Sequence, residues 1–179
     1  SAKTLQFSGG AVGTTAVSIA LNTTGAGSAA TAGTYTSTAN FAATTLTDAI
    51  DTIAFDIAVD GGSAVSVTID QTAVQAVGDN DTTIDDVAEL NTILTNAGVT
   101  GVTASIVSSK LVLTSSTTGA SSSVAISNYV ETDADTDTTD GTGFAAGASA
   151  AGVAAVAAGA VKTVDELVTA INANTGLTD

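Results

Sequence analysis

Histidine, cysteine, methionine, tryptophan, proline and arginine are all missing from this 179-residue chain. Histidine and cysteine supply most of the tunable protons, thiolates and soft metal ligands that enzymes use. Without them the chemical repertoire shrinks to carboxylates, hydroxyls and three lysines, Lys3, Lys110 and Lys162. A serine nucleophile would need lysine or a carboxylate as its base, and no local motif offers one. The expectation is a chain that is not an enzyme, with no catalytic, cofactor-binding or metal-binding residue assigned and no cofactor.

The lack of cysteine removes any disulfide framework and leaves two readings open. One is a small bacterial domain that simply has none. The other is a protein exported unfolded and assembled outside the cell, where free thiols would cross-link. Basic residues are almost as scarce. Eighteen acids against three lysines give a net charge of −15, a field that repels nucleic acids and anionic membranes. The expected partners therefore include no nucleic acid and no membrane. The Ala/Gly run from Phe144 to Ala160 is long, but too weakly apolar to span a bilayer. No basic leader opens the chain, which begins at Ser1 and reads as a piece of something larger.

Aromatic residues are few, four Phe and two Tyr, so a core must rest on Ala, Val, Ile and Leu. Hydrophobic residues still make up 44% of the chain, enough for one domain or two small lobes. Tyr35, Tyr129 and the phenylalanines are expected to fill gaps in that core.

Internal similarity gives the best handle on architecture. Three segments begin alike: Thr45-Leu46-Thr47-Asp48, Thr83-Ile84-Asp85-Asp86 and Thr163-Val164-Asp165-Glu166. Each reads as a helix start, with the Thr as N-cap and the acid three residues on reaching back. The second continues with Val87, Leu90, Ile93 and Leu94 on one helical face, and the third with Leu167, Val168 and Ile171. Both close on Asn-x-Gly, at Asn96-Ala97-Gly98 and Asn174-Thr175-Gly176, where glycine supplies a left-handed stop. The first copy lacks this continuation.

Strands surround the central helix. Phe55, Ile57 and Val59 alternate with polar or small residues up to Gly61-Gly62, and Val65, Val67 and Ile69 return in the same rhythm, a hairpin. Val102, Ala104 and Ile106 lead through a turn near Ser108-Ser109-Lys110 to Leu111-Val112-Leu113. Val124 and Ile126 suggest a short edge strand. The fold class predicted is α+β and strand-rich, antiparallel hairpins packed on short helices and built from repeats. Thr4–Phe7 and Thr15–Leu21 also read as strands. The predicted organisation has four parts: 1–54, a strand and loop segment completing a repeat, with Tyr35 anchoring the loop 22–39; 55–129, a hairpin-helix-hairpin unit; 130–162, an acidic and Ala/Gly-rich connection; and 163–179, the helix of a further repeat.

Several of these segments resemble the short repeat of flagellins and hook-associated proteins. They are FDIAVDGG at Phe55–Gly62, the helix Thr83–Gly98, VTAS at Val102–Ser105, KLVLTS at Lys110–Ser115 and TVDELVTAINANTGL at Thr163–Leu177. The stretches that hold them, 55–115 and 163–177, make up a little under half of the chain. The resemblance implies the central, variable part of a flagellin, which projects from the filament surface while terminal helices build its core. It further implies an extracellular location on the bacterial flagellum, a structural role in filament surface properties and motility, and other copies of the parent subunit as partners through regions outside this segment. A bacterial source would favour glycans O-linked to exposed Ser/Thr loops.

Two alternatives share these features: a Ca²⁺-binding surface-layer or adhesin module, and the outer domain of the filament cap protein. A two-carboxylate glycosidase stands last. Carboxylates at Glu131, Asp133, Asp135, Asp137 and Asp140 alternate as Ca²⁺ ligands can, but Thr138 and Phe144 occupy the places where an EF-hand needs glycine and glutamate. The expectation there is a solvated loop. Asp79, Asp81, Asp85 and Asp86 raise the same idea, with the last two already placed at a helix start. Asn22-Thr23-Thr24 and Asn80-Asp81-Thr82 match the sequon weakly, and the lysines read as surface groups.

Overall fold

A computed structural model describes residues 27–78, 80–133 and 140–157. The chain divides into two units, one of residues 29–156 and the other of residues 1–28 and 157–179. The account below concerns the first. The strands expected at Thr4–Phe7 and Thr15–Leu21, the helix expected from Thr163, and Lys3 and Lys162 lie outside the described residues.

In chain order the elements are β1 (Thr34–Ser37), β2 (Thr44–Thr45), β3 (Thr52–Val59), β4 (Val65–Asp70), α1 (Gln71–Gln75), β5 (Thr83–Ile84) and α2 (Val87–Asn96). They continue with β6 (Val102–Val107), β7 (Lys110–Ser115), β8 (Val124–Thr132) and β9 (Gly147–Ala150). All strand pairs are antiparallel, in a four-stranded sheet β6-β7-β1-β9, a three-stranded sheet β4-β3-β8 and the small ladder β2-β5. The fold is α+β and strand-rich.

Period-two alternation explains the larger sheets. On β3 the residues Ile53, Phe55 and Ile57 are buried while Ala54, Asp56 and Ala58 are half-exposed. β4 answers with Val67 opposite Phe55 and Ile69 opposite Ile53. In the other large sheet Leu111 and Leu113 of β7, Ala104 of β6 and Tyr35 of β1 turn inward. These faces share one buried cluster with Leu90, Ile93 and Leu94 of α2. Phe144 stacks on Phe55 with ring centroids 4.1 Å apart. Both predicted hairpins are present, and Ser108 and Ser109 turn the second with φ of 50° and 64°.

The helix start differs from the sequence expectation. Thr83 is not the N-cap, because Thr83 and Ile84 form β5, paired with Thr45 and Thr44. The cap is Asp86, whose carboxylate accepts from the amides of Ala88 and Glu89, both at 2.8 Å. Glu89, itself buried, reaches back to the Asp85 amide at 3.2 Å. The N-cap therefore stands three residues later, at Asp86, and Glu89 at N3 accepts from the amide just before the cap, a variant of the capping box. At the other end the expectation holds: Gly98 has φ 84°, its amide bonds the Thr95 carbonyl, and the Val99 amide bonds the Leu94 carbonyl. That pair of bonds is the Schellman stop.

Thr45-Leu46-Thr47-Asp48 does not start a helix at all. Thr44 and Thr45 are held in the β2-β5 ladder, Leu46 is fully buried with its amide on the Thr82 carbonyl, and the chain turns at once into β3. The turn is closed by Asp51, also fully buried, whose carboxylate accepts from the Asp48 amide at 2.8 Å. The first two of the similar segments thus pair with each other instead of forming equivalent helices. α1 was not anticipated; Asp70 at the end of β4 caps it by accepting from the Ala73 amide.

Residues 29–156 form one compact unit, which runs across the positions 54/55 and 129/130. Tyr35 is not a loop anchor but part of β1. β8 runs to Thr132, nine residues long, with a bulge where Asn128 and Tyr129 stand opposite Phe55. Within the expected connection 130–162, Thr142 and Phe144 are buried and β9 pairs with β1. Small residues permit this close approach, and a Cβ on Gly147 would lie 2.3 Å from the Tyr35 ring.

Asn91 closes the outer edge of β6. Its side chain accepts from the Ala104 amide at 2.8 Å and donates to the Ala104 carbonyl at 3.0 Å, as a neighbouring strand would. Two substitutions measured by chemical denaturation test this packing. Leu90→Ala should cost about 2–5 kcal/mol by leaving a cavity. Asn91→Ala should cost about 1–3 kcal/mol by leaving the strand edge unpaired. Unchanged stability in Leu90→Ala would contradict the described core.

Candidate functional site

The carboxylates are the chemical groups to place first, because the sequence offers few others. Asp140 lies just before a buried turn and accepts from the Thr142 hydroxyl at 2.5 Å, the Gly143 amide at 2.8 Å and the Ala145 amide at 2.6 Å. Its neighbour Gly141 donates to the Thr44 hydroxyl at 2.8 Å and accepts from the Ala42 amide. The carboxylate thus shapes the chain that delivers Phe144 to the core. Glu131, on β8, accepts from the Tyr129 hydroxyl at 2.8 Å. Two of the five alternating acids therefore serve as local acceptors, and Asp135 and Asp137 lie outside the described residues. Among the described residues no three acidic groups come together in a way that could hold a metal ion.

The second acidic stretch divides similarly. Asp81 accepts from the Thr83 amide at 2.6 Å, and Asp86 caps α2. Asp79 lies outside the described residues. Asn80 of the sequon is exposed in left-handed backbone with φ 66°; Asn22 lies outside the described residues.

Asp56 and Asp60 bind groups far away in sequence, which the sequence alone hides because both look like ordinary polar members of an alternating strand. Asp56 accepts from Ser66 at 2.6 Å and from the Asn128 amide group at 2.7 Å, linking the outer faces of β3, β4 and β8. Asp60, at the tip of the β3–β4 hairpin, accepts from the Ser115 hydroxyl at 2.8 Å, the Thr117 hydroxyl at 2.8 Å and the Ser123 amide at 3.0 Å. These bonds favour the ionised form and hold both groups below the usual carboxylate range, Asp56 chiefly through Ser66 and Asp60 chiefly through the Ser123 amide. Beside the Asp60 tie, Ser122 accepts from the Gly33 amide at 2.7 Å and donates to the Thr117 carbonyl at 2.9 Å.

Among the described residues the phenols are the most strongly perturbed groups. Tyr35 is buried and donates to the carbonyls of Gly143 and Phe144 at 3.1 and 3.2 Å. Burial, reinforced by the nearby Asp140 charge, pushes it up to about 12. Burial also raises Tyr129, with its bond to Glu131 and the charges of Asp140 and Glu131 acting in the same direction. Neither is an activated nucleophile, since both are held as neutral phenols. Lys110 donates to the Thr38 carbonyl and is likewise an anchor.

Open grooves mark the described surface. One, of about 420 Å³, runs between α1 and α2 and is lined by residues including Thr68, Asp70, Ala73, Ile93 and Asn96. A second of about 330 Å³ lies beside the β8 bulge, against Tyr129 and the segment leading into β9. A third of about 180 Å³ sits beside the β3–β4 tip. The polar groups on their walls are largely taken: Asp70 by the start of α1, Tyr35 by two carbonyls and Tyr129 by Glu131. No described groove gathers the nucleophile, base and oxyanion donors that a catalytic reading needs.

No protein-family model matches the chain, and no curated protein matches it either.

The tyrosines give a direct check of this geometry. A phenol whose folded pKa is raised contributes stability that is complete below about pH 10, its unfolded value, and fades as pH rises through the folded value. Titration followed by tyrosinate absorbance should show neither ring of the native protein ionising near pH 10. Tyr35 should ionise near 12, with stability falling across that interval. A tyrosine titrating normally near pH 10 in the folded protein would contradict the burial described.

Proposed function

We propose that this chain is a structural, surface-exposed outer domain of a flagellin subunit, displayed on a bacterial filament outside the cell and without catalytic activity. The observation that carries the reading is that a hairpin, the helix α2 and a second hairpin follow one another over residues 52–115, with only α1 and the two-residue β5 between the first hairpin and α2. It falls on the segments FDIAVDGG, Thr83–Gly98, VTAS and KLVLTS from which the resemblance to flagellin and hook-associated repeats was drawn. The site chemistry supports the same reading, because Asp56, Asp60, Asp86 and Asp140 all act as acceptors that tie strands, helix starts and turns.

On this reading the work of the domain is done by its surface. A net charge of −15 keeps neighbouring copies hydrated and discourages lateral association at the high local concentration of a filament. Assembly contacts belong to other regions of the parent subunit, and exposed Ser and Thr side chains offer positions for glycans. Antibodies raised against residues 29–156 and imaged by immunogold electron microscopy should decorate the length of flagellar filaments in the source bacterium. Gold confined to the filament tip would favour the cap protein, and gold over the cell body would favour a surface-layer or adhesin module.

Divalent cations test the same proposal in solution. On the display reading Ca²⁺ acts only as screening charge, so it should stabilise no more than Mg²⁺. Both effects should fade in about 0.15 M salt, where the Debye length is about 8 Å. A built site at a hundredfold excess of Ca²⁺ over its dissociation constant would add about 2.7 kcal/mol. A Ca²⁺-selective rise in melting temperature that survives salt and disappears in Asp135→Asn/Asp137→Asn would move the assignment to the adhesin class.

A further inference from the structure

Asp60 holds the β3–β4 tip to the β7–β8 connection through its carboxylate. It has φ 54° and is followed by Gly61 at φ 68°, so the hairpin turns through left-handed backbone. Asparagine and glycine also adopt that conformation readily. The turn itself therefore does not require a carboxylate. What the carboxylate adds is a reach across 55 to 63 residues, to Ser115 at the end of β7, Thr117 beyond it and the Ser123 amide just before β8. Beside the tip, a groove of about 180 Å³ separates hairpin residues Val59, Gly62 and Val65 from Val99 and Thr100.

We infer that Asp60 is an acid-released latch: ionised, it fastens the β3–β4 tip to the β7–β8 connection, and protonated, it lets the tip lift from that connection. The chemistry follows from proton counting. An ionised carboxylate offers acceptor sites to all three donors at once, whereas a protonated one becomes a donor at one oxygen. That oxygen then faces the Thr117 or Ser115 hydroxyl, which must turn to accept. The Asp60 amide keeps its own bond to the Ser123 carbonyl at 2.8 Å in either state, so release loosens the tip without detaching the strand. Only hydrogen bonds lower the pKa of Asp60, and they come from Ser123, Thr117, Ser115 and Ser122, none of which titrates here. Asp56, on the same hairpin, is the other group held low. A lowered folded pKa means the latch is closed at neutral pH and through the ordinary carboxylate range. It opens only as pH falls through that lowered value.

Amide exchange protection measured by NMR on the whole chain tests this, with α2 as internal reference. Near pH 6, Asp60→Asn should exchange the Thr117, Ser123 and Gly62 amides on the order of tenfold faster than wild type, with α2 unchanged. Wild type near pH 2.5 should acquire the same pattern, while Asp60→Asn should show no further change relative to α2. Asp56→Asn should match wild type at Thr117 and Ser123, and Thr117→Ala should reproduce part of the loss without altering the turn. Wild-type protection at Thr117 and Ser123 that is equal at both pH values would overturn the latch. So would an Asp60→Asn profile identical to wild type, or loss in α2 as large as loss at the tip.

Discussion

Burial of Ile53, Phe55 and Ile57 along one face of β3 is the constraint on which the rest of the unit depends. β3 is the central strand of its sheet, paired through backbone bonds with β4 on one side and β8 on the other. A strand so placed must be covered on its apolar face, and the chain has few large side chains to do it. Phe144 covers Phe55 by stacking on it, α2 supplies Leu90, Ile93 and Leu94, and the second sheet supplies Leu111 and Leu113. The bulge at Asn128 and Tyr129 falls opposite Phe55, where the neighbouring strand adjusts to this packing.

With so little aromatic bulk, much of the fixing is done by short polar groups. Asn91 acts as a surrogate strand on the β6 edge, Asp86 and Glu89 set the start of α2, and Asp140 folds the turn that brings in Phe144. Each satisfies backbone groups that a loop-rich, hydroxyl-rich chain would otherwise leave unpaired. The described buried side-chain polar atoms all have partners. This use of acids also bears on function: carboxylates committed to backbone amides and hydroxyls are poor candidates for acid–base or metal chemistry, and the same groups leave the surface strongly anionic.

Much of this was legible in the residues, and the reasons for the rest are specific. The alternation of Phe55, Ile57, Val65, Val67 and Ile69 predicts its hairpin because strand period and burial coincide there. The stop at Gly98 is legible because left-handed backbone is a local demand. Thr83 looks locally like the start of α2 because its ladder partner, Thr45, is 38 residues away and no local pattern announces it. The same long-range pairing removed the helix expected after Thr45. Residues 140–150 resembled a linker because Ala and Gly carry no hydrophobic signal of their own, yet their small size lets β9 lie against β1. Of the polar sites, Glu131 and Asp140 stand out by their charge pattern, while Asp56 and Asp60 lie in an alternating strand whose long-range partners only the fold reveals.

Deleting residues 29–156 from the parent protein in its source bacterium, and imaging the filaments by electron cryomicroscopy, tests the central claim most directly. The unit begins and ends side by side, with Thr31 donating to the Val153 carbonyl and β1 paired to β9, so a short connector can replace it. An outer domain that displays a surface and carries no assembly contacts should leave filaments that still form, with their outermost density gone and their core lattice unchanged. Loss of filaments despite normal expression and export of the shortened protein, or filaments whose outer density is untouched, would contradict the account.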